Sequence, residues 1–184
     1  MIPRTADVAL RAHPSTSTDA ASAVRALRVR VARAAGRLDL LFTLEGGLAR
    51  LRLPPAREPA PGNDLWRSTC FEAFAMAQGP DYCELNVTPA HAWALYRFSG
   101  YRHSAGAIGS SVAPNIVSSR RHDVYELHVT AELSRWVDPT ARWRVALTAV
   151  IEDAAGRVSY WSARHAPGKP DFHHRDALAV ELAA

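Results

Sequence analysis

Short segments in which apolar and polar residues alternate recur along the chain, and this pattern constrains the fold more than any other feature. In the first of them, single arginines separate Leu27, Val29 and Val31. A period of two places the apolar side chains on one face of a β-strand. Residues 24–53 are therefore predicted to form a three-stranded meander with glycine-containing turns.

Further segments with the same pattern follow this meander. We predict strands at residues 70–78, 81–88, 91–98, 112–119, 123–130, 142–152, 157–163 and 177–182. Between them we expect a proline-rich loop at 54–64, a Gly/Ser-rich surface loop at 100–111 and a single helical turn at 131–137. About eleven short strands at spacings of roughly 8 to 12 residues favour an antiparallel all-β sandwich over a parallel α/β fold.

The composition is that of an ordinary globular protein. The chain has 184 residues, 48% hydrophobic and 22% charged, which predicts one domain spanning residues 1–184. The formal net charge is +4, but the arginines are interleaved with apolar residues as on the wet face of a sheet, so we expect no nucleic-acid partner. No segment predicts a bilayer span or a secretory leader, so we expect no membrane partner and a cytoplasmic location. The sequence leaves the oligomeric state open.

The two cysteines form no Cys-x-x-Cys pair. We expect Cys70 and Cys83 to be buried thiols. A disulfide between neighbouring strands remains an open alternative.

The first candidate site lies on the predicted central strands. If 70–78 pairs with 81–88, Glu72 and Glu84 share one face, and Asn86 lies two residues beyond Glu84. Two carboxylates and an amide supply the directional hydrogen bonds that sugar hydroxyls need, and a tryptophan supplies a face for C–H groups. We expect Arg97 on the next strand to provide the compensating charge, and Trp66 to lie at the edge. A buried ion-pair network or a solvated outer face would give the same pattern.

The second candidate is the segment 160–176, a strand that ends in a loop rich in proline and glycine. It carries Trp161 and Arg164, which we expect to face the site. Its other polar residues are predicted to anchor the loop: His165, Asp171, His173, His174 and Asp176. Adjacent histidines on extended chain point to opposite faces, so no metal site is predicted here.

Four motifs combine aromatic and polar residues at fixed spacings. They are Leu-Trp-x-x-x-Cys-Phe-Glu-Ala-Phe at 65–74, Tyr-x-Glu-x-Asn-x-x-Pro at 82–89, Trp-x-x-Tyr-x-Phe-x-Gly-Tyr at 93–101, and Tyr-Trp-x-x-x-His-x-Pro-x-x-Pro-Asp-Phe-His-His-x-Asp at 160–176. The first three resemble the central strands of DOMON-like domains, which are related to family 9 carbohydrate-binding modules. The last is similar to an uncharacterised bacterial branch of that group.

The resemblance implies a jelly-roll-like β-sandwich that binds a ligand on a concave sheet or its rim, sugar in some relatives and haem b in others. Glu72, Glu84 and Asn86 match the polar positions of the family, and Trp66 and Trp161 would be stacking platforms. Sugar-binding relatives often have acidic residues where this chain has Ser68 and Thr69, a departure that weakens the transfer of sugar contacts.

We therefore expect a non-catalytic module that binds a small polar, carbohydrate-like ligand and uses no cofactor. The expected ligand-binding residues are Trp66, Glu72, Glu84, Asn86, Arg97, Trp161 and Arg164. One alternative is a hydrolytic or metal-assisted enzyme that uses the 165–176 loop, or the paired carboxylates of a glycosidase. Others are haem binding, which would require Met76 as an axial ligand, and an interaction module without a small ligand.

Overall fold

A computed structural model describes residues 4–107 and 113–184, and these ranges contain thirteen β-strands. The strands are β1 (Thr5–Ala12), β2 (Val24–Ala34), β3 (Arg37–Gly46), β4 (Ala60–Pro61), β5 (Cys70–Met76), β6 (Tyr82–Val87), β7 (Ala92–Phe98), β8 (Ser104–Ala107), β9 (Asn115–Arg121), β10 (Val124–Glu132), β11 (Trp143–Glu152), β12 (Val158–Ser162) and β13 (Val180–Leu182). One helical turn, α1 (Thr18–Ala21), lies between β1 and β2. Within the described ranges no helix has the length and apolar character that a bilayer span requires.

The strands form two sheets that one strand joins. The first sheet has the order β1-β2-β3-β10-β9, and the second has the order β4-β7-β6-β5-β11-β12. Strands β8 and β13 extend the second sheet beside β7 and β11. The end of β1 also pairs with β12, where Arg11 lies opposite Ser162. Every pair is antiparallel except the short β4–β7 pair, and the predicted all-β sandwich is confirmed.

The core lies between the two sheets, where the apolar residues of the alternating strands meet. Leu27, Val29 and Val31 are all buried on the first sheet, as their spacing predicts. From the second sheet, Phe71 packs its ring 5.2 Å from the ring of Phe42 on β3, measured between centroids. Burial of each such side chain stabilises the fold by about 1.5–3 kcal/mol.

The structure differs from the predicted strands in four places, one of which is β4 (Ala60–Pro61), a two-residue strand inside the predicted proline-rich loop 54–64. The third strand of the meander is wrong, because Leu48–Arg50 forms a 3-10 turn and Leu51 makes only a single bridge, to Asp153. Strand β1 was not predicted, because its apolar and polar residues alternate too weakly. Strand β8 lies in the segment predicted as a surface loop, and residues 108–111 of that loop are outside the described residues.

Candidate functional site

The face of the second sheet that points away from the core carries a row of buried polar side chains. Glu72 on β5 lies in register between Thr148 on β11 and Asn86 on β6. Glu72 is 2% exposed and Asn86 is fully buried. The period of the strand places these residues opposite the core face, as the sequence predicts, and the fold then covers them.

Glu84 lies in the next row of the same face, between two aromatic residues. Its register partners are Phe74 on β5 and Tyr96 on β7. Directly opposed side chains on neighbouring strands have Cβ atoms about 4.5–5.5 Å apart, so Glu84 is flanked by rings. Its carboxylate accepts a hydrogen bond of 2.8 Å from Asn86 Nδ2. Glu72 and Glu84 are thus brought together on one face by strand pairing alone.

A cleft of about 580 Å³ opens above the two glutamates. Six aromatic side chains line it: Trp66, Phe74, Tyr96, Phe98, Tyr160 and Phe172. Trp66 comes from the 3-10 turn Leu65–Arg67 before β5 and is 48% exposed. Clefts with apolar walls and a few convergent polar groups are the usual form of small-ligand sites.

Residues 163–174, named here the covering loop, fold back over the sheet and form one side of the cleft. Lys169, Pro170, Phe172 and His173 of this loop line the cleft. The loop contains two prolines, Pro167 and Pro170, and each restricts the conformations that the backbone loses when the loop is fixed.

Polar contacts hold the covering loop at both ends. At its start, His165 Nε2 lies 2.8 Å from the carbonyl oxygen of Arg11 on β1. Burial is the main cause that lowers the pKa of His165, which favours the neutral ring in this position. Near its end, Asp171 accepts hydrogen bonds from the Tyr101 hydroxyl and from Arg102 Nη2, the second at 2.9 Å. The loop is therefore tied to β1 and to the turn after β7.

The loop also ends in a capped turn. His174 Nδ1 accepts a hydrogen bond of 3.2 Å from the backbone N–H of Asp176. This caps the 3-10 turn Arg175–Ala177. The Asp176 carboxylate lies 3.7 Å from the same ring nitrogen.

His173 does more than hold the loop, because its ring lies against the wall of the cleft. The ring centroid is 5.1 Å from that of Phe74 and 5.0 Å from that of Phe98. The Tyr82 hydroxyl accepts the backbone N–H of Arg102 and lies 2.8 Å from His173 Nδ1. That hydroxyl can then donate to Nδ1, which places the proton of the neutral ring on Nε2. Nε2 faces Glu84 Oε2 at 3.8 Å.

Burial shifts the pKa values of Glu72, Glu84 and His173. It is the largest cause that raises the pKa of Glu72, and the charge of Glu84 raises it further. Burial likewise raises the pKa of Glu84, although the hydrogen bond from Asn86 opposes the change. Burial lowers the pKa of His173 to about 4. Each group is therefore shifted toward its neutral form.

Two buried oxygen atoms of the polar row accept no hydrogen bond. They are Glu72 Oε1 and Asn86 Oδ1. The second oxygen of Glu72 accepts 3.2 Å from Thr148 Oγ1. A buried acceptor without a donor is destabilising by about 1–3 kcal/mol, so a ligand that brings donors to these atoms would gain from them.

Three residues expected at the site lie elsewhere. Arg97 lies opposite Cys83 in the register of β6 and β7, so its side chain points to the sheet face opposite that of Glu84. There it contacts Asp81 at 3.1 Å. Trp161 packs in the core between the sheets and donates its indole N–H to Ser159 at 2.8 Å. Arg164 is exposed and is not among the residues that line the cleft. The expectations that Arg97 supplies the compensating charge and that Trp161 and Arg164 face the site are therefore corrected.

The structure brings residues to the cleft that the sequence analysis did not select. Tyr160 takes the place expected for Trp161, because it shares its face with Val150 and, through β11, with the glutamates. The positive charges near the site come from Arg102 and Lys169. The register of β12 could have indicated Tyr160, but no sequence pattern places Arg102, which lies in a left-handed turn conformation (φ 56°).

Met76, considered above as a haem ligand, and the two cysteines, considered for a disulfide, are all buried. Met76 packs in an apolar cluster with Tyr82 and Phe98. Cys70 and Cys83 are free and buried, on opposite faces of the sheet. In the described ranges, no group of three or more His, Cys, Asp or Glu side chains is placed to hold a metal ion.

The chain is similar in fold to proteins of known structure. No protein-family model and no curated protein sequence matches the chain. Among solved structures, a family 9 carbohydrate-binding module from Caldicellulosiruptor kristjanssonii, in complex with cellotriose, is similar with a TM-score of 0.56 and 10% identity. The match covers 100% of this chain and 88% of that chain. The chain shares the β-sandwich fold of this module. A proposed carbohydrate-binding protein from Bacteroides uniformis is similar with a TM-score of 0.63 and 13% identity, over 95% of this chain and 85% of that chain.

Proposed function

We propose that the cleft above Glu72 and Glu84 binds a carbohydrate-like polar ligand without reacting with it. The observation that carries this proposal is the unsatisfied buried acceptor Glu72 Oε1 in the wall of a cleft lined by aromatic residues, with a second unsatisfied acceptor, Asn86 Oδ1, beside Glu72 in the same polar row. Sugar hydroxyls donate hydrogen bonds to such acceptors, and the C–H faces of a sugar ring pack on aromatic rings.

The pair formed by His173 and Glu84 provides a second feature suited to hydroxyls. Nε2–H of neutral His173 is a donor, and Glu84 Oε2, 3.8 Å away, is an acceptor. A hydroxyl group both donates and accepts, so one hydroxyl can satisfy both atoms. The distance is too long for a direct hydrogen bond between the two side chains, which leaves both atoms available.

The fold neighbours support this proposal as an analogy. One of them was solved with cellotriose, and a shared fold does not by itself carry a ligand across. The relationship to DOMON-like domains, the single-domain organisation and the cytoplasmic location also stay proposals.

Isothermal titration with neutral mono- and oligosaccharides tests the proposal. Wild type is expected to bind at least one of them, and Trp66→Ala and Tyr160→Ala are expected to weaken that binding. Val117→Ala is a matched control, because Val117 is an exposed apolar residue on β9, in the other sheet. Lack of saccharide binding by wild type would contradict the proposal.

A glycoside hydrolase is the second candidate, favoured by the two carboxylates on adjacent strands. Such enzymes use one carboxylic acid that gives a proton and one ionised carboxylate. Here burial shifts the pKa of both groups in the same direction, whereas catalytic pairs have environments that push the two pKa values apart. The binding role is therefore preferred. Release of nitrophenol from nitrophenyl glycosides, abolished in Glu84→Gln, would reverse this preference.

A further inference from the structure

We infer that the ligand of this cleft carries a protonated amine, so that an amino sugar is its preferred class of saccharide. This inference rests on the proposed saccharide-binding function and narrows it. It follows from the charges and the rings that surround Glu72 and Glu84.

Neither glutamate forms an ion pair with an Arg or Lys in the described part of the chain, although burial raises the pKa of Glu84 and the charge of Arg102 opposes this rise. Glu84 Oε2 lies 3.8 Å from Nε2 of the neutral His173, and Glu72 is hydrogen-bonded by the uncharged Thr148 hydroxyl and Cys70 thiol. The Arg97 guanidinium points to the other face of the sheet, toward Asp81. A buried carboxylate that is ionised is normally paired with a cation or bound to a metal. A ligand with an ammonium group would supply that cation and so favour the ionised form of Glu72 or Glu84.

The cations near the cleft are engaged or exposed. The Arg102 guanidinium donates to Asp171 at 2.9 Å, which commits it to the covering loop. Lys169 lies on the same loop with an exposed side chain, where water screens its charge. Neither provides a partner for Glu72 Oε1, which is left without any hydrogen bond inside the protein.

The aromatic walls favour the same class of ligand. Glu84 lies in register between Phe74 and Tyr96, so a cation bound near Glu84 would lie close to two aromatic side chains that also line the cleft. Cation–π attraction strengthens when the site is desolvated. One ring of the wall already attracts a cation, since the Arg67 guanidinium lies 5.0 Å from the centroid of the Trp66 ring. Carboxylates enclosed by aromatic rings are a suitable environment for an ammonium group and a poor one for an anion.

Four monosaccharides of matched shape test the inference by isothermal titration: D-glucosamine, D-glucose, N-acetyl-D-glucosamine and D-glucuronate. Glucosamine is expected to bind at least about tenfold more tightly than glucose, because a charge-assisted hydrogen bond to a buried carboxylate is roughly twice as strong as a neutral one. N-acetylation removes the charge and is expected to remove the preference. Glu72→Gln and Glu84→Gln should reduce the ratio of the two affinities toward one, whereas Glu181→Gln, at an exposed position of β13, should leave it unchanged. Thermal melts of all variants confirm that they are folded.

The outcomes separate the two proposals. Glucose binding with no gain for glucosamine overturns the inference and leaves the proposed function intact. Tighter binding of glucuronate than of glucose also overturns it, since Arg102 and Lys169 would then dominate. Absence of binding by all four sugars and by oligosaccharides overturns both proposals.

Discussion

His173 Nε2 lies 3.8 Å from Glu84 Oε2, and this relationship joins the covering loop to the central strands of the second sheet. The histidine is held by Tyr82 on β6 and by aromatic rings on β5 and β7. The glutamate is held by Asn86. His173 on the loop is thus a donor and Glu84 on the strand is an acceptor, and a ligand hydroxyl can bind between them.

The stability of the fold is expected to decrease as the pH falls through the range in which His173 titrates. The pKa of His173 is about 4 in the folded protein and about 6.5 in the unfolded chain, so between these values the unfolded state binds more protons. Stability is therefore fully present above pH 6.5 and is lost toward pH 4, by up to about 3 kcal/mol.

This contribution is isolated by comparing wild type with His173→Phe in urea unfolding between pH 4 and pH 7. The variant keeps a ring among Phe74 and Phe98 but has no titrating group. The difference in unfolding free energy should depend on pH, whereas Val117→Ala, which changes an exposed residue without a titrating group, should give a constant difference. A constant difference for His173→Phe would contradict the assignment.

Glu72→Gln is expected to stabilise the protein at pH 8. The pKa of Glu72 is raised in the folded state, so above the unfolded value the unfolded chain releases a proton that the folded state retains. Stability from this group is present at low pH and is lost as the pH rises through the folded pKa. Glutamine has no charge to bury, and its oxygen can still accept from Thr148, so we expect a gain of about 1–3 kcal/mol.

Urea unfolding at pH 5 and pH 8 measures this gain, which should be larger at pH 8. Glu181→Gln serves as the exposed control and should change stability by less than about 0.5 kcal/mol. Equal stability of Glu72→Gln and wild type at pH 8 would show that Glu72 is not held in a raised-pKa environment.

Arg33→Lys is expected to destabilise the fold by about 2–4 kcal/mol. The Arg33 guanidinium is buried and donates to the carbonyl oxygens of Ala141 and Pro139, each at 2.7 Å, and of Ala35 at 2.8 Å. It also lies 4.1 Å from the centroid of the Trp143 ring. An ammonium group cannot span this set of acceptors. The matched control is Arg30→Lys, which alters only an exposed pair with Asp7 and should have almost no effect on the unfolding midpoint. Similar losses of stability for both variants would contradict this role of Arg33.

Trp66→Ala and Trp161→Ala are expected to have opposite consequences. Trp66 is half exposed in the cleft wall, so its removal should weaken saccharide binding while the melting temperature stays nearly unchanged. Trp161 is 7% exposed in the core, so its removal should lower stability by about 3–5 kcal/mol. Thermal melts and titrations of both variants measure the two effects, and a loss of stability confined to Trp66→Ala would reverse the assignment of the two residues.

The sequence predicted the parts of the site that depend only on strand periodicity. Glu84 and Asn86 share a face because they are two residues apart on one strand, and Glu72 joins them because β5 pairs with β6 in register. The same periodicity could not decide which face of β12 is the core face, so Trp161 was expected in the site where Tyr160 lies. A large aromatic residue suits either environment, and only the packing of the two sheets decides between them.

The covering loop shows a second limit of sequence patterns. Its polar residues indicated that it is held in place, but not that Lys169 and Phe172 would line the cleft. That arrangement depends on long-range contacts, such as those of Asp171 with Tyr101 and Arg102. Contacts between segments so distant in the chain leave no periodic signal in it.

The most direct test of the central claim is a ¹H–¹⁵N NMR titration with neutral and amino-bearing saccharides that follows the side-chain N–H signals. The account predicts saturable shifts of the Trp66 indole and of the Asn86 side-chain amide, because one lines the cleft and the other hydrogen-bonds to Glu84. The buried Trp143 and Trp161 indoles should stay in place as internal references. Shifts confined to residues outside the cleft, or no shifts with any saccharide, would contradict saccharide binding in the cleft above Glu72 and Glu84.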